Sequence, residues 1–201
     1  MPHHKEEKTC VIIKPDGVQR NLIGEIIRRY EQTGLKMVAI KMLVPNKETV
    51  ENHYSVDPEF KKKVGEKAIE SYTVKGETPP SNNPEEVGGE VIENLKQYMT
   101  SGPVIAMVWE GAHAVELVRK ITGSTEPRTS DIGTIRGDFV IDSYSMADKD
   151  GRAIRNLIHA SGDIDEAKEE IKLWFTEDEM TSYTLPHDKI IYDAELCDIL
   201  E

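Results

Sequence analysis

The chain has 201 residues, enough for one compact domain with some decoration, since domains commonly run to about 100–200 residues. Its 25 Lys and Arg against 37 Asp and Glu leave a formal charge of −12, which excludes a generally basic surface built to neutralise nucleic-acid phosphates; a polyanion would have to be held in a local pocket. Hydrophobic residues make up 38% and charged residues 31%, a composition that builds a core and is too apolar for a disordered chain.

Residues 9–14, Thr-Cys-Val-Ile-Ile-Lys, form a β-branched run stopped by Pro15-Asp16-Gly17, which predicts a buried strand ending in a turn with Lys14 at the sheet edge. Asn21 stands at an N-cap position before Ile23, Ile26, Ile27 and Tyr30, whose spacing predicts an amphipathic helix ending at Gly34. Residues 35–44 read as a second strand, and residues 47–54 as a short helix. Between Ser55 and Asn94 the Lys61-Lys62-Lys63 run and the turn formers up to Pro84 mark an excursion, part helix and part loop. A helix resumes near Glu85 with Val87, Val91, Leu95 and Tyr98 or Met99 on one face. Residues 104–109 predict a third buried strand and residues 112–121 the next helix, ended by Gly123. A fourth strand is predicted over Arg136 to Ile141, before a polar second excursion from Asp142 to Gly151. Asp163 with Glu166 reads as a capping box before a helix whose buried face is Ile164, Ala167, Ile171 and Trp174; Thr176 with Glu179 reads as another.

No stretch approaches the ~18 apolar residues of a membrane span, and residues 1–6 lack the apolar core of a signal peptide, so a cytoplasmic location is expected. Cys10 and Cys197 have no partner motif; Cys10, inside an apolar run, reads as a small buried hydrophobe. There is no phosphate-loop signature, no G-x-G-x-x-G and no H-E-x-x-H, so phosphate chemistry would need side chains. Lys14, Arg119, Arg128, Arg136 and Arg155 are the candidate cations, most of them beside strand ends or Gly/Pro loops where binding groups collect. His159, in a tight junction ahead of a capped helix, is either a packed histidine or a positioned imidazole oriented by a carboxylate, with Glu170 the candidate.

Lys14-Pro-Asp-Gly-Val-Gln-Arg20, His53-Tyr54, Ser101-Gly-Pro-Val, Met107-Val-Trp-Glu-Gly111, Gly133-Thr-Ile-Arg-Gly-Asp-Phe139 and Arg155-Asn-Leu-Ile-His159 occur together in the order that resembles the nucleoside diphosphate kinase family. The resemblance implies a single α/β (α+β) domain over residues 1–201, a ferredoxin-like sandwich with a four-stranded antiparallel sheet. Around it sit insertions at about 57–92 and 142–153 and a short C-terminal extension. It implies transfer of the γ-phosphate of a nucleoside triphosphate to a nucleoside diphosphate through a phosphohistidine at His159, with Glu170 orienting the ring and Tyr54 lining the site. It further implies phosphate contacts from Arg119, Thr125 and Arg136, sugar contacts from Lys14 and Asn156, base stacking by Phe60, and Mg²⁺ carried on the phosphates. The expected partners are nucleotides and copies of the chain itself, as a hexamer or tetramer, with no membrane and no specific nucleic acid. A catalytically silent relative would have lost the histidine or the arginines; all are present. The two excursions, rooted beside Tyr54 and before Asn156, read either as a lid on the nucleotide site or as peripheral decoration.

Overall fold

A computed structural model describes residues 6–55 and 59–192; His3, His4 and Cys197 lie outside the described residues. In chain order the elements are β1 (Lys8–Ile13), α1 (Pro15–Gln19), α2 (Ile23–Glu31), β2 (Lys36–Leu43), α3 (Lys47–Tyr54), α4 (Phe60–Lys75), α5 (Pro84–Met99), β3 (Val104–Glu110), α6 (Ala114–Thr122), α7 (Ile135–Phe139), α8 (Tyr144–Lys149), β4 (Ile158–Ala160), α9 (Ile164–Trp174) and α10 (Asp188–Tyr192). The strands make one antiparallel sheet in the order β2-β3-β1-β4, the ferredoxin-like arrangement expected above. No helix among the described residues is long and apolar enough to cross a membrane.

β1 is central and apolar from Cys10 to Ile13, because the sheet is covered on both faces and alternation sends successive side chains to opposite layers. Val11 and Ile13 join Ile26 and Tyr30 of α2, Ala114 and Val118 of α6 and Ile135 of α7 in one core layer. Cys10 and Ile12 point the other way, to Val50 and Tyr54 of α3, Met99 of α5 and Trp174 of α9. Cys10 is fully buried, as its apolar context implies. Burying whole Val and Ile side chains contributes roughly 1.5–3 kcal/mol each relative to exposure, so this two-faced strand anchors both layers.

Five local expectations are corrected. Residues 136–141 are not a strand: they fall mostly in α7, where Thr134 Oγ1 accepts from Gly137 N at 3.1 Å and caps the helix. Gly137 also lies so close to the Asp131 carbonyl that a Cβ there would clash. The fourth strand is instead the three-residue β4 that carries His159. Pro15-Asp16-Gly17 opens α1 rather than forming a separate turn; proline at a first helical position gives up no bond, since that N–H has no intrahelical acceptor. Asn21 does not cap α2, because it sits in the left-handed region at φ 57°, and Leu22 occupies the N-cap position without a side-chain bond. On α9, Ile164 is 48% exposed while Glu170 is fully buried. Asp163 caps α9 through the N–H groups of Asp165 and Glu166, but Glu166 reaches back to Gly162 N, one residue earlier than a capping box requires. The Thr176–Glu179 box is present, on a single 3₁₀ turn. The first excursion holds α4 and the start of α5 packed as a helical hairpin, and the second holds α8, capped by Ser143.

Candidate active site

The register of β4 decides which way His159 faces. Ile158 pairs with Ile13 and His159 with Ile12, and cross-strand partners share a face, so His159 stands on the layer of α3 and α9. α3 contributes His53 and Tyr54 from its last turn, and α9 contributes Glu170 and Trp174 from its buried face. Glu170 Oε1 lies 2.6 Å from His159 Nε2, without the alignment of a hydrogen bond to the ring N–H. Its other oxygen, Oε2, accepts from Ser161 Oγ at 2.6 Å, and Ser161 Oγ in turn accepts from Cys10 N at 3.1 Å. The carboxylate is therefore tied to the β1–β4 ladder, with its side chain 1% exposed against 16% for His159. Nε2 is the enclosed ring nitrogen.

The Lys14 motif and the His159 motif brace one another. Lys14 N donates to Leu157 O at 2.7 Å, and Leu157 N, whose residue sits at φ 64°, donates to Asp16 Oδ2 at 3.2 Å. Gly17 is required there, since a Cβ would come 2.6 Å from Ile13 Cγ2 and 3.4 Å from Leu157 O. Lys14 Nζ then donates to Asn156 Oδ1 at 2.8 Å, and Asn156 Nδ2 donates to Thr125 O at 2.9 Å. Arg136 ties the same loops from the other side. Its Nε donates to Asn156 O at 3.1 Å, its Nη1 to Gly123 O and Ser124 O at 2.9 and 3.0 Å, and its Nη2 to Ile158 O at 2.6 Å. Four of the five guanidinium N–H groups are thus committed to backbone carbonyls, leaving one on Nη2. Arg119 is exposed, with Nη1 3.5 Å from Ser161 O, and Thr125 is exposed as well.

Burial holds the His159 imidazole down at about 3, with Lys14 the next cause, Arg136 and Arg119 adding to it and Glu166 opposing. The ring is neutral near pH 7, with its lone pair available. Lys14 is brought down to about 7 by burial and by Arg136, and burial lowers Arg136 to about 10. Burial raises Glu170, which His53 and the Ser161 bond lower in part. Phe60, the first residue of α4, stacks on Tyr54 at 5.6 Å and 20° between planes. The structure thus links Lys14, Asn156, Thr125 and Arg136 through one hydrogen-bond network, sets His159 against Glu170, stacks Phe60 on Tyr54 and brings Arg119 to Ser161 O. Arg155 instead lies over the Tyr98 ring at 4.5 Å, beside a separate cavity of about 700 Å³ lined by Arg20, Phe139 and Met146.

The family model described as nucleoside diphosphate kinase matches residues 7–63 and 81–180. The chain belongs to the nucleoside diphosphate kinase family. A nucleoside diphosphate kinase of Pyrobaculum aerophilum is 45% identical over 178 residues, covering 87% of this chain and 97% of that protein. The crystal structure of an NDP kinase from the same organism superposes with a TM-score of 0.86 at 44% identity, over 88% of this chain and all of that one. A Borrelia burgdorferi nucleoside-diphosphate kinase, described as a transition-state mimic with bound vanadate and ADP, gives 0.77 at 34% identity over 94% and 98% of the two chains. The enzyme class follows: a kinase acting between nucleoside tri- and diphosphates. Residues 64–80, outside the family match, fall within α4 and the turn after it.

His53, Trp174 and Ser161 escape a reading of the sequence by types. His53 precedes Tyr54 inside a matched pair, but nothing in one sequence says that it meets a glutamate 117 positions later. Its Nδ1 is 3.4 Å from Glu170 Oε1, and with His159 and Glu170 it forms a group whose ligand atoms all lie within 4.8 Å.

Proposed function

We propose that the chain moves the γ-phosphate of a nucleoside triphosphate to a nucleoside diphosphate in two half-reactions through a phosphohistidine on His159 Nδ1. The observation that carries this reading is a neutral, partly exposed imidazole with Nε2 held against a buried carboxylate and three cationic side chains acting on it. In the first half-reaction the Nδ1 lone pair attacks the γ-phosphorus and the bond to the leaving diphosphate oxygen breaks. Positive charge develops on the ring, and Glu170 beside Nε2–H stabilises it. In the second, a terminal oxygen of the acceptor diphosphate attacks the same phosphorus and the P–N bond breaks, returning the neutral ring. One site serves both nucleotides in turn.

Arg119, Thr125 and the remaining Nη2 N–H of Arg136 are the phosphate donors in this reading, and arginine's planar fork suits phosphate oxygens. Lys14 and Asn156, already hydrogen-bonded to one another, take the sugar hydroxyls. Phe60, stacked on Tyr54, offers the base a platform. Mg²⁺, a hard cation that keeps oxygen ligands, fits a site whose free side chains are cations and a hydroxyl if it arrives on the phosphates, where it neutralises charge during transfer. Self-assembly, as a hexamer or tetramer, is supported by an open sheet edge in which Ile40, Met42 and Val44 are 49%, 59% and 63% exposed.

The test is incubation with ATP labelled at the γ-phosphate. An acid-labile, base-stable label is expected on the intact protein, absent from His159→Ala and discharged by any nucleoside diphosphate. An unlabelled intact protein, or a label that survives His159→Ala, overturns the mechanism.

A further inference from the structure

His53 and Trp174 form a second, fully enclosed arrangement behind Glu170 that the transfer reaction does not itself use. Trp174 Nε1 donates to His53 Nδ1 at 3.3 Å. Since indole is only a donor, His53 must present a lone pair at Nδ1, and a neutral ring must then carry its proton on Nε2. Nε2 is buried without a partner among the described residues, so the tautomer is chosen by the tryptophan and not by a described acceptor on the far side. The choice matters because His53 Nδ1 is 3.4 Å from Glu170 Oε1, the same oxygen that lies 2.6 Å from His159 Nε2. The two imidazoles meet edge to face, with centroids 4.3 Å apart, and could both claim that one oxygen.

We infer that Trp174 is a positioning residue: it holds His53 in the Nε2–H tautomer, so that His53 offers Glu170 no proton and leaves Oε1 to His159. The inference rests on the reading of His159 as nucleophile and Glu170 as its orienting partner. Without the indole N–H, the His53 proton moves to Nδ1, where it gains Glu170 as an acceptor in place of an empty buried site. Oε1 is then drawn toward α3, and the His159 ring loses its orientation and the carboxylate that stabilises its developing charge. His53 acts only through Glu170 and does not touch the transferred group.

The geometry makes a non-additive expectation that a packing role does not share. Trp174→Phe keeps a large ring but removes the donor, and should lower the rate of His159 phosphorylation about tenfold, the scale of a lost supporting bond, with nucleotide KM little changed. His53→Phe keeps an edge-on ring and removes the competitor, and should cost little. The double variant should recover most of the Trp174→Phe loss, because the proton that strayed no longer exists. Losses that add or exceed the single variants overturn the inference. Nitrogen NMR of the folded wild-type protein supplies a readout that needs no activity: His53 is expected as the neutral Nε2–H tautomer, switching to Nδ1–H in Trp174→Phe. A wild-type His53 protonated on Nδ1 refutes the proposal even if every variant misfolds. Failure of the underlying reading looks different, as an intact protein that takes no label at His159.

Discussion

Lys14 and Arg136 are both cations in one pocket, yet their surroundings give them different work. Arg136 holds four carbonyls from two chain segments and keeps one N–H for a ligand, so it is as much a clamp on the β4 approach as a phosphate contact. Arg136→Lys cannot reproduce the fork, and each buried carbonyl left unpaired costs about 1–3 kcal/mol. A loss of about 3 kcal/mol or more in urea unfolding is expected, together with lower activity; unchanged stability would show that the clamp is not holding these loops. The Lys14 amine makes a single hydrogen bond among the described residues, to Asn156 Oδ1, and burial brings it to about 7 from an ordinary 10.5. Between those values the unfolded chain binds a proton that the folded chain does not, so this group's contribution to stability rises with pH from about 7 to 10. A bound diphosphate places negative charge beside the amine and raises it again. Nucleoside diphosphate binding at pH 8 should therefore take up a proton, seen as binding heats that differ between buffers of different ionisation enthalpy. Equal heats in both buffers would place Lys14 outside the bound phosphates' field.

At the level of elements, legibility followed length and burial. β1, β2 and β3 could be read because each is a run of apolar residues long enough to stand out between turn formers. β4 could not, since three residues carry no periodicity and its pairing depends on Leu157 and Asn156 being fixed by α1, far away in sequence. Phe139-Val140-Ile141 has the composition of a strand, but Ile141 is 90% exposed and the backbone before it is captured by the Thr134 cap. The site residues were legible through ordered motifs, whereas the His53–Trp174 pair exists only once α3 and α9 pack on the same face. The α4–α5 hairpin shows how an excursion can still be tightly specified. Gly65 faces the Pro84 carbonyl and Gly88 the Lys61 carbonyl, each too close for any Cβ. Gly88→Val must force the helices apart at a backbone contact, at a cost of about 1–3 kcal/mol for overpacking. Because α4 begins at Phe60, stacked on Tyr54, splaying should raise nucleotide KM several-fold with kcat nearly unchanged and speed protease cleavage in residues 76–83. Faster cleavage with an unaltered KM would make the hairpin peripheral to the nucleotide.

Across the whole molecule, charge and edge exposure are unevenly placed in ways that bear on assembly. Residues 160–201 hold 13 acidic and 3 basic residues, while residues 1–54 hold 9 basic and 7 acidic, so the excess of negative charge lies in the C-terminal segment, whose first helix, α9, packs against β1. The sheet has β2 at one edge, and the C-terminal segment covers only the first part of that strand: Thr181 N donates to Val38 O and Tyr183 Oη to Met37 O, each at 2.8 Å. Beyond Val38 no backbone hydrogen bond from the described residues reaches this edge, and it is there that Ile40, Met42 and Val44 are exposed. An uncovered apolar edge strand invites pairing with another chain, and stable monomers usually blunt such edges with charge, proline or a covering segment. Lys41, the charged residue in this stretch, is engaged by Glu179 at 2.7 Å and does little to repel a partner. Pairing of this edge with its counterpart in a second copy would extend the sheet and cover the three apolar side chains together. Ile40→Asp places a charge in the centre of that contact without disturbing the buried residues Val38 and Ala39. Light scattering after size exclusion should then show the wild-type chain as an assembly and Ile40→Asp shifted toward smaller species, with His159 still labelled by nucleotide if each subunit holds its own complete site. A wild-type protein that elutes with the mass of a single chain at micromolar concentration would overturn the assembly, and an assembly indifferent to Ile40→Asp would move the contact to another face.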